Sequence, residues 1–86
     1  MLTVYSAPWC FHCRETIDFL KETNICFTLV QIEEASPEIV EKVVEVNGGD
    51  DWVVPTLEYN GQWRPGQFFN EALLTADLKK MGVISK

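Results

Sequence analysis

Leu2-Thr3-Val4-Tyr5-Ser6-Ala7-Pro8-Trp9-Cys10-Phe11-His12-Cys13 is the stretch on which the reading of the whole chain turns. Leu2 to Tyr5 is a short run of strand formers, and Ser6-Ala7-Pro8 breaks it. From Cys10 the spacing becomes helical. Cys13, Ile17 and Leu20 fall on one face at i, i+4 and i+7, while Arg14, Glu15, Asp18, Lys21 and Glu22 fall mostly elsewhere. A pair of cysteines is thereby set where a strand hands over to a helix. Asn24 predicts the end of that helix.

Working outward, Cys26 to Ile32 is rich in β-branched and apolar residues and predicts a second strand. Ser36 then caps a second helix with Pro37 at its first position, and Ile39, Val43 and Val46 share a face against Glu38, Glu41, Lys42 and Glu45. Asn47-Gly48-Gly49 ends it. Val53-Val54 and Thr56 to Tyr59 read as one strand region broken by Pro55. Asn60-Gly61 is the strongest short hairpin signal, so Gln62-Trp63-Arg64 is the return strand before Pro65-Gly66 turns the chain again. A last helix, capped by Asn70 and stopped by Gly82, places Leu73, Leu74, Leu78 and Met81 on a face. The order is β-α-β-α-β-β-α. The first unit has the length of a parallel, right-handed crossover and the hairpin adds antiparallel strands, so the expected fold is α/β, a four-stranded mixed sheet with helices on both faces. Residues 1–86 are expected to form a single domain, without repeat or linker.

The composition narrows the function. The chain has 86 residues, 7 Lys+Arg against 13 Asp+Glu, and a formal net charge of −6. A 47% hydrophobic content with five Phe, three Trp and two Tyr is that of a globular domain, and no apolar run is long enough to span a bilayer. Nucleic acid is not an expected partner, because the cations are scattered and only Lys79-Lys80 are adjacent. Met1-Leu2-Thr3-Val4-Tyr5 lacks the charged start of a targeting segment, which predicts a cytoplasmic protein. Three cysteines, Cys10, Cys13 and Cys26, are an odd count that argues against a framework of structural disulfides.

Cys10, at the helix start, meets the positive end of the helix dipole and free backbone N–H groups. Thiols so placed in C-x-x-C motifs fall from about 8.5 to ~3.5–7.5 in pKa. Cys10 is then the nucleophile, and Cys13, one turn inside, is the resolving thiol. Zinc needs two ligands beyond this pair, and His12 and Cys26 are the candidates, with His12 splayed outward. His12 has two readings, an exposed polar residue or a group that tunes Cys10. Cys26 is expected to be a small buried hydrophobe at a strand edge. Pro55, following Val53-Val54, belongs at a strand start, an edge or a cis bond. Trp52 and Trp63 either form an exposed docking surface or cover the sheet.

The combination of a strand, Ala7-Pro8-Trp9-Cys10-Phe11-His12-Cys13 and, forty residues after Cys13, Val53-Val54-Pro55-Thr56 before a hairpin resembles the thioredoxin superfamily and its glutaredoxin branch. Within that branch Val46-Asn47-Gly48-Gly49 and the Val-Pro-Thr strand look most like mycoredoxins, with the NrdH-redoxins as near relatives. The resemblance implies a thioredoxin fold, a cis Pro55 lying against the cysteine pair, and backbone at Val54 that pairs with a bound thiol or peptide. It makes Val54 and Pro55 substrate-contacting, and lines the groove with Trp9, Phe11 and His12. The sequence departs from glutaredoxins at Ala7, where they carry a lysine, and at His12, where they carry a tyrosine. It departs again at Trp63 to Asn70, which replaces the Gly-Gly and paired aspartates that hold glutathione.

The resemblance implies a thiol-disulfide oxidoreductase that reduces disulfides or S-thiolated proteins through Cys10 and Cys13. Electrons are expected from a low-molecular-weight thiol such as glutathione or mycothiol as co-substrate, with no tightly bound cofactor, and Arg64 is a candidate replacement for the lost cation. The alternative is a NrdH-like redoxin, reduced by thioredoxin reductase and serving ribonucleotide reductase or another enzyme. A third reading, of a different class, is a metal or Fe–S binding module. A monomer is expected in the first two.

Overall fold

The computed structural model describes residues 1–84. Its elements are β1 (Leu2–Ser6), α1 (Phe11–Glu22), β2 (Phe27–Gln31), α2 (Pro37–Val46), β3 (Thr56–Tyr59), β4 (Gln62–Arg64) and α3 (Glu71–Met81), with one turn of 3-10 helix at Ile32–Glu34. The sheet order is β2-β1-β3-β4. β1 runs parallel to β2, with Val4 opposite Leu29, and antiparallel to β3, with Val4 opposite Leu57. β4 returns antiparallel along β3 and sets Arg64 opposite Leu57.

Local chemistry accounts for most of the boundaries. The Ser36 hydroxyl accepts the Ile39 N–H to start α2, and the Asn70 side chain accepts the Leu73 N–H at 3.0 Å to start α3. Asn60 and Gly61 both take positive φ, 50° and 85°, the turn that two-residue hairpins need and that Asn-Gly adopts at least cost. α1 stops slightly earlier than Asn24. Thr23 is its last half-helical residue, and Asn24 follows in the left-handed region at φ 59°. Val53 and Val54 do not join the sheet, and β3 starts only at Thr56, after a cis Val54-Pro55 bond.

The alternation along β1 splits the core. Leu2 and Val4 join Leu57, Leu20 of α1 and Leu74 and Leu78 of α3 on one face. Tyr5 points the other way and packs with Ile32, Val43 of α2 and both cysteines of the C-x-x-C pair. Helices therefore cover both faces, as expected. In α1 the buried residues are Cys13, Thr16 and Leu20, with Ile17 half-buried. In α3 the buried face is Leu74, Leu78 and Met81, and Leu73, expected on it, is exposed. One helical position is about 100°, and the stripe from 74 to 81 leaves 73 at its margin. Cys26 also departs from expectation: it is exposed, because it precedes β2, the edge strand, rather than sitting inside it. Among the described residues no helix is long and apolar enough to cross a membrane.

Candidate functional site

The site is built where β1 ends. Cys10 is the N-cap of α1, extended at φ −87° and ψ 114°, and its Sγ occupies the place an Asp or Ser oxygen usually takes. It accepts the Cys13 N–H at 3.1 Å. The sulfur thus satisfies one of the free N–H groups of the first helical turn. The same Sγ, when protonated, donates to the Val54 carbonyl at 3.8 Å, 44 positions away. Cys10 is 8% exposed and Cys13 only 1%. Burial first, then the hydrogen bond with Cys10, pushes the Cys13 thiol up from 9.0 to about 11. The pair is therefore asymmetric: Cys10, buried but for a small exposed remainder, caps the helix start, and Cys13 stays a neutral thiol behind it.

The loop before β3 is held against the pair by a polar chain. Thr56 Oγ1 donates to the Val53 carbonyl at 2.6 Å and accepts from Asn47 Nδ2 at 3.0 Å. Asn47 Nδ2 also donates to the Val43 carbonyl at 2.8 Å, and Asn47 Oδ1 accepts the Gly66 N–H at 2.7 Å. The end of α2, the cis-proline loop and the segment after β4 thus meet at one side chain. Gly66 lies so near Val53 that an added Cβ would come 3.0 Å from the Val53 carbonyl carbon and closer still to its side chain. Asn47 was legible as a helix stop, but not as this junction, and Gly66 only as a turn.

His12, Val53, Val54, Gly66, Gln67 and Phe68 line a cavity of about 380 Å³ beside the pair. Its surroundings are apolar, with Trp9 63%, Phe11 61% and Phe68 78% exposed. Trp9 packs in tilted fashion on Trp52 at 6.2 Å. Of the residues expected at the groove, His12 and Val54 line it, Trp9 and Phe11 stand exposed beside the motif, and Pro55 is buried next to Val54. Phe68 had no signal beyond being apolar in a loop.

Among the described residues no cation lines this cavity. Arg64, expected as a candidate replacement, is instead 5% exposed and donates from Nε to Asp77 Oδ2 at 2.7 Å. Its register opposite Leu57 turns it toward α3 and the core. Trp63 covers the sheet, stacked on Tyr5 at 5.6 Å. His12 is half-buried rather than an exposed polar residue, and its Nδ1 accepts the Phe69 N–H at 3.0 Å. Cys26 lines a different cavity with Met1, Ile25 and Tyr59. Among the described residues no three His, Cys, Asp or Glu side chains gather where they could hold a metal.

A cysteine pair that caps a helix, faces a cis-proline loop and stands on a β2-β1-β3-β4 sheet defines a thioredoxin-fold protein. The chain belongs to the glutaredoxin family, whose model, Glutaredoxin, matches residues 2–63. It is 44% identical over 46 residues to the glutaredoxin-like protein NrdH of Lactococcus lactis subsp. cremoris (strain MG1363), and equally so to that of Lactococcus lactis subsp. lactis (strain IL1403). These matches cover 54% of this chain and 62% of each relative, under two thirds of the relatives' length. The solved glutaredoxin grx-1 from Archaeoglobus fulgidus is similar at a TM-score of 0.66 and 26% identity, over 93% of this chain and 83% of that one. The holo form of glutaredoxin C1 from Populus tremula x tremuloides shares the fold at a TM-score of 0.61 and 17% identity, over 92% and 73%.

Proposed function

We propose that the chain is a cytoplasmic dithiol oxidoreductase that reduces protein disulfides, with Cys10 as nucleophile and Cys13 as resolving thiol. The observation that carries the reading is the placement of Cys10 Sγ, between the Cys13 N–H at 3.1 Å and the Val54 carbonyl at 3.8 Å. The Cys10 thiolate attacks one sulfur of the target disulfide, forming a mixed disulfide and releasing the other sulfur as a thiolate. Cys13 then gives up its proton and attacks Cys10 Sγ. The Cys10–Cys13 disulfide forms, the second target thiolate leaves, and two electrons have passed to the target. No bound cofactor is needed, because the sulfur pair stores both electrons. His12 and Val54 form the groove wall on which the target disulfide is presented, flanked by the exposed Trp9 and Phe11 and backed by the buried Pro55.

Two observations favour a protein as electron donor, of the thioredoxin reductase kind. The groove is apolar, and Arg64, the cation nearest to it in sequence after β3, is committed to Asp77. Among the described residues a small thiol with two carboxylates finds no counter-charge on the cavity lining. The likeness to NrdH proteins supports the same circuit, with ribonucleotide reductase or another disulfide enzyme as recipient. A second reading, exchange with glutathione or mycothiol on S-thiolated proteins, is supported by the family match and by the likeness to the solved Archaeoglobus fulgidus glutaredoxin.

The test offers the oxidised protein NADPH with thioredoxin reductase in one arm and a panel of reduced thiols in the other. Formation of the Cys10/Cys13 dithiol is followed in both. Reduction by the reductase, with slow reduction by every thiol, is the expected result. Fast reduction by one thiol and none by the reductase would overturn the choice of donor.

A further inference from the structure

The segment between β4 and α3 is fastened at two points and displays one side chain between them. Gly66 donates its N–H to Asn47 Oδ1 at 2.7 Å, and Phe69 donates its N–H to His12 Nδ1 at 3.0 Å, across 57 positions of sequence. Phe69 turns its ring inward, onto Phe19 at 6.2 Å. Phe68 is left outside at 78% exposure, yet it is not loose. Its ring lies on the His12 imidazole, with centroids 4.7 Å apart and planes 24° from parallel. His12 therefore holds the segment twice, by accepting the Phe69 N–H in the ring plane and by stacking on Phe68 with its face.

We infer that His12 is a positioning residue: it fixes Phe68 as a preformed wall of the groove beside Cys10, and so selects disulfides flanked by an apolar or aromatic side chain. This rests on the reading of Cys10 as the nucleophile. The exposed aromatic surface is ordered before a partner arrives, so a partner's apolar side chain packs on it without the cost of freezing Phe68. A partner with polar flanks gains nothing from the wall.

The arrangement requires a neutral imidazole. Nδ1 accepts, so the proton sits on Nε2; a second proton makes Nδ1 a donor and sets it against the Phe69 N–H. The groups that share the cavity with the ring, from Val53 and Val54 on one side and Gly66, Gln67 and Phe68 on the other, carry no charge. On α1 itself the neighbouring ionisable groups are Cys10, Cys13, Arg14 and Glu15, and α3 begins with Glu71.

Three substitutions separate the two contacts. His12→Asn keeps an acceptor near the Nδ1 position and does not titrate, His12→Phe keeps the stacking without the acceptor, and His12→Ala keeps neither. Amide exchange at Phe69, read by NMR in the reduced protein, is expected to quicken about tenfold in the Ala and Phe variants, the worth of one ordered hydrogen bond, and to stay slow in the Asn variant. In turnover, KM for a peptide disulfide flanked by phenylalanine is expected to rise about tenfold more in His12→Ala than KM for the same peptide flanked by glycine. Phe68→Ala is expected to give the same loss of selectivity, and the double variant no more. Equal effects on both peptides, or a Phe69 amide that exchanges as fast in wild type as in His12→Ala, would overturn the inference. If wild type reduces neither peptide, the Cys10 reading fails, while the Phe69 exchange still judges the latch.

Discussion

Arg64 reaches from β4 to α3 and donates from Nε to Asp77 Oδ2 at 2.7 Å, with only 5% of its side chain left to solvent. The contact fastens the last strand to the last helix and withdraws the cation from the groove. Among the described residues its buried Nη2 has no hydrogen-bond partner, so the charge depends on Asp77 all the more. Asp77→Ala strands a buried guanidinium, which costs about 3 kcal/mol, the low end for a broken buried pair, because Asp77 is 30% exposed. Urea unfolding measures it, and Arg64→Met, which removes the charge itself, is expected to cost less. A loss below about 0.5 kcal/mol would put the pair among ordinary surface ion pairs.

Gly66→Ala is expected to disturb the groove. Its Cβ would meet the Val53 side chain and lie 3.0 Å from that residue's carbonyl carbon. The shift falls next to Val54, whose carbonyl faces Cys10. A destabilisation of about 1–3 kcal/mol in denaturant and a several-fold fall in disulfide turnover are expected. An unchanged stability would mean that Val53 yields freely.

The alkaline limb of stability should carry the signature of Cys13. Its thiol is raised from 9.0 to about 11 by burial and by Cys10, so the folded state disfavours its ionisation. The contribution is complete below pH 9.0 and is lost as pH rises through about 11. The reduced protein should weaken over that window, and Cys13→Ser should remove that part of the dependence. Parallel curves for both proteins would contradict the asymmetry of the pair.

The sequence was most legible where structure is decided by neighbouring residues. Ser36-Pro37 and Asn70 start helices through bonds three residues long, and Asn60-Gly61 makes its turn from two backbone conformations. The cysteine pair was legible for the same reason, since capping is local. What failed depended on the sheet or on distant partners. Cys26 reads as strand and apolar, but its exposure follows from β2 being the edge. Leu73 sits among apolar neighbours, and only packing on β1 and β3 decides that Leu74 and not Leu73 is inside. Arg64 could not be assigned without the register that points it at Asp77. The bond from Phe69 to His12 spans 57 positions and leaves no periodic trace.

The division of labour between the cysteines is tested most directly by trapping. A substrate protein with one accessible disulfide is mixed with Cys13→Ser and, separately, with Cys10→Ser, and adducts are read by mass spectrometry without reductant. The account predicts a stable mixed disulfide at Cys10 in the Cys13→Ser protein, because the buried resolving thiol is gone, and no adduct with Cys10→Ser. An adduct at Cys13 in the Cys10→Ser protein, or full turnover by that variant, would contradict it.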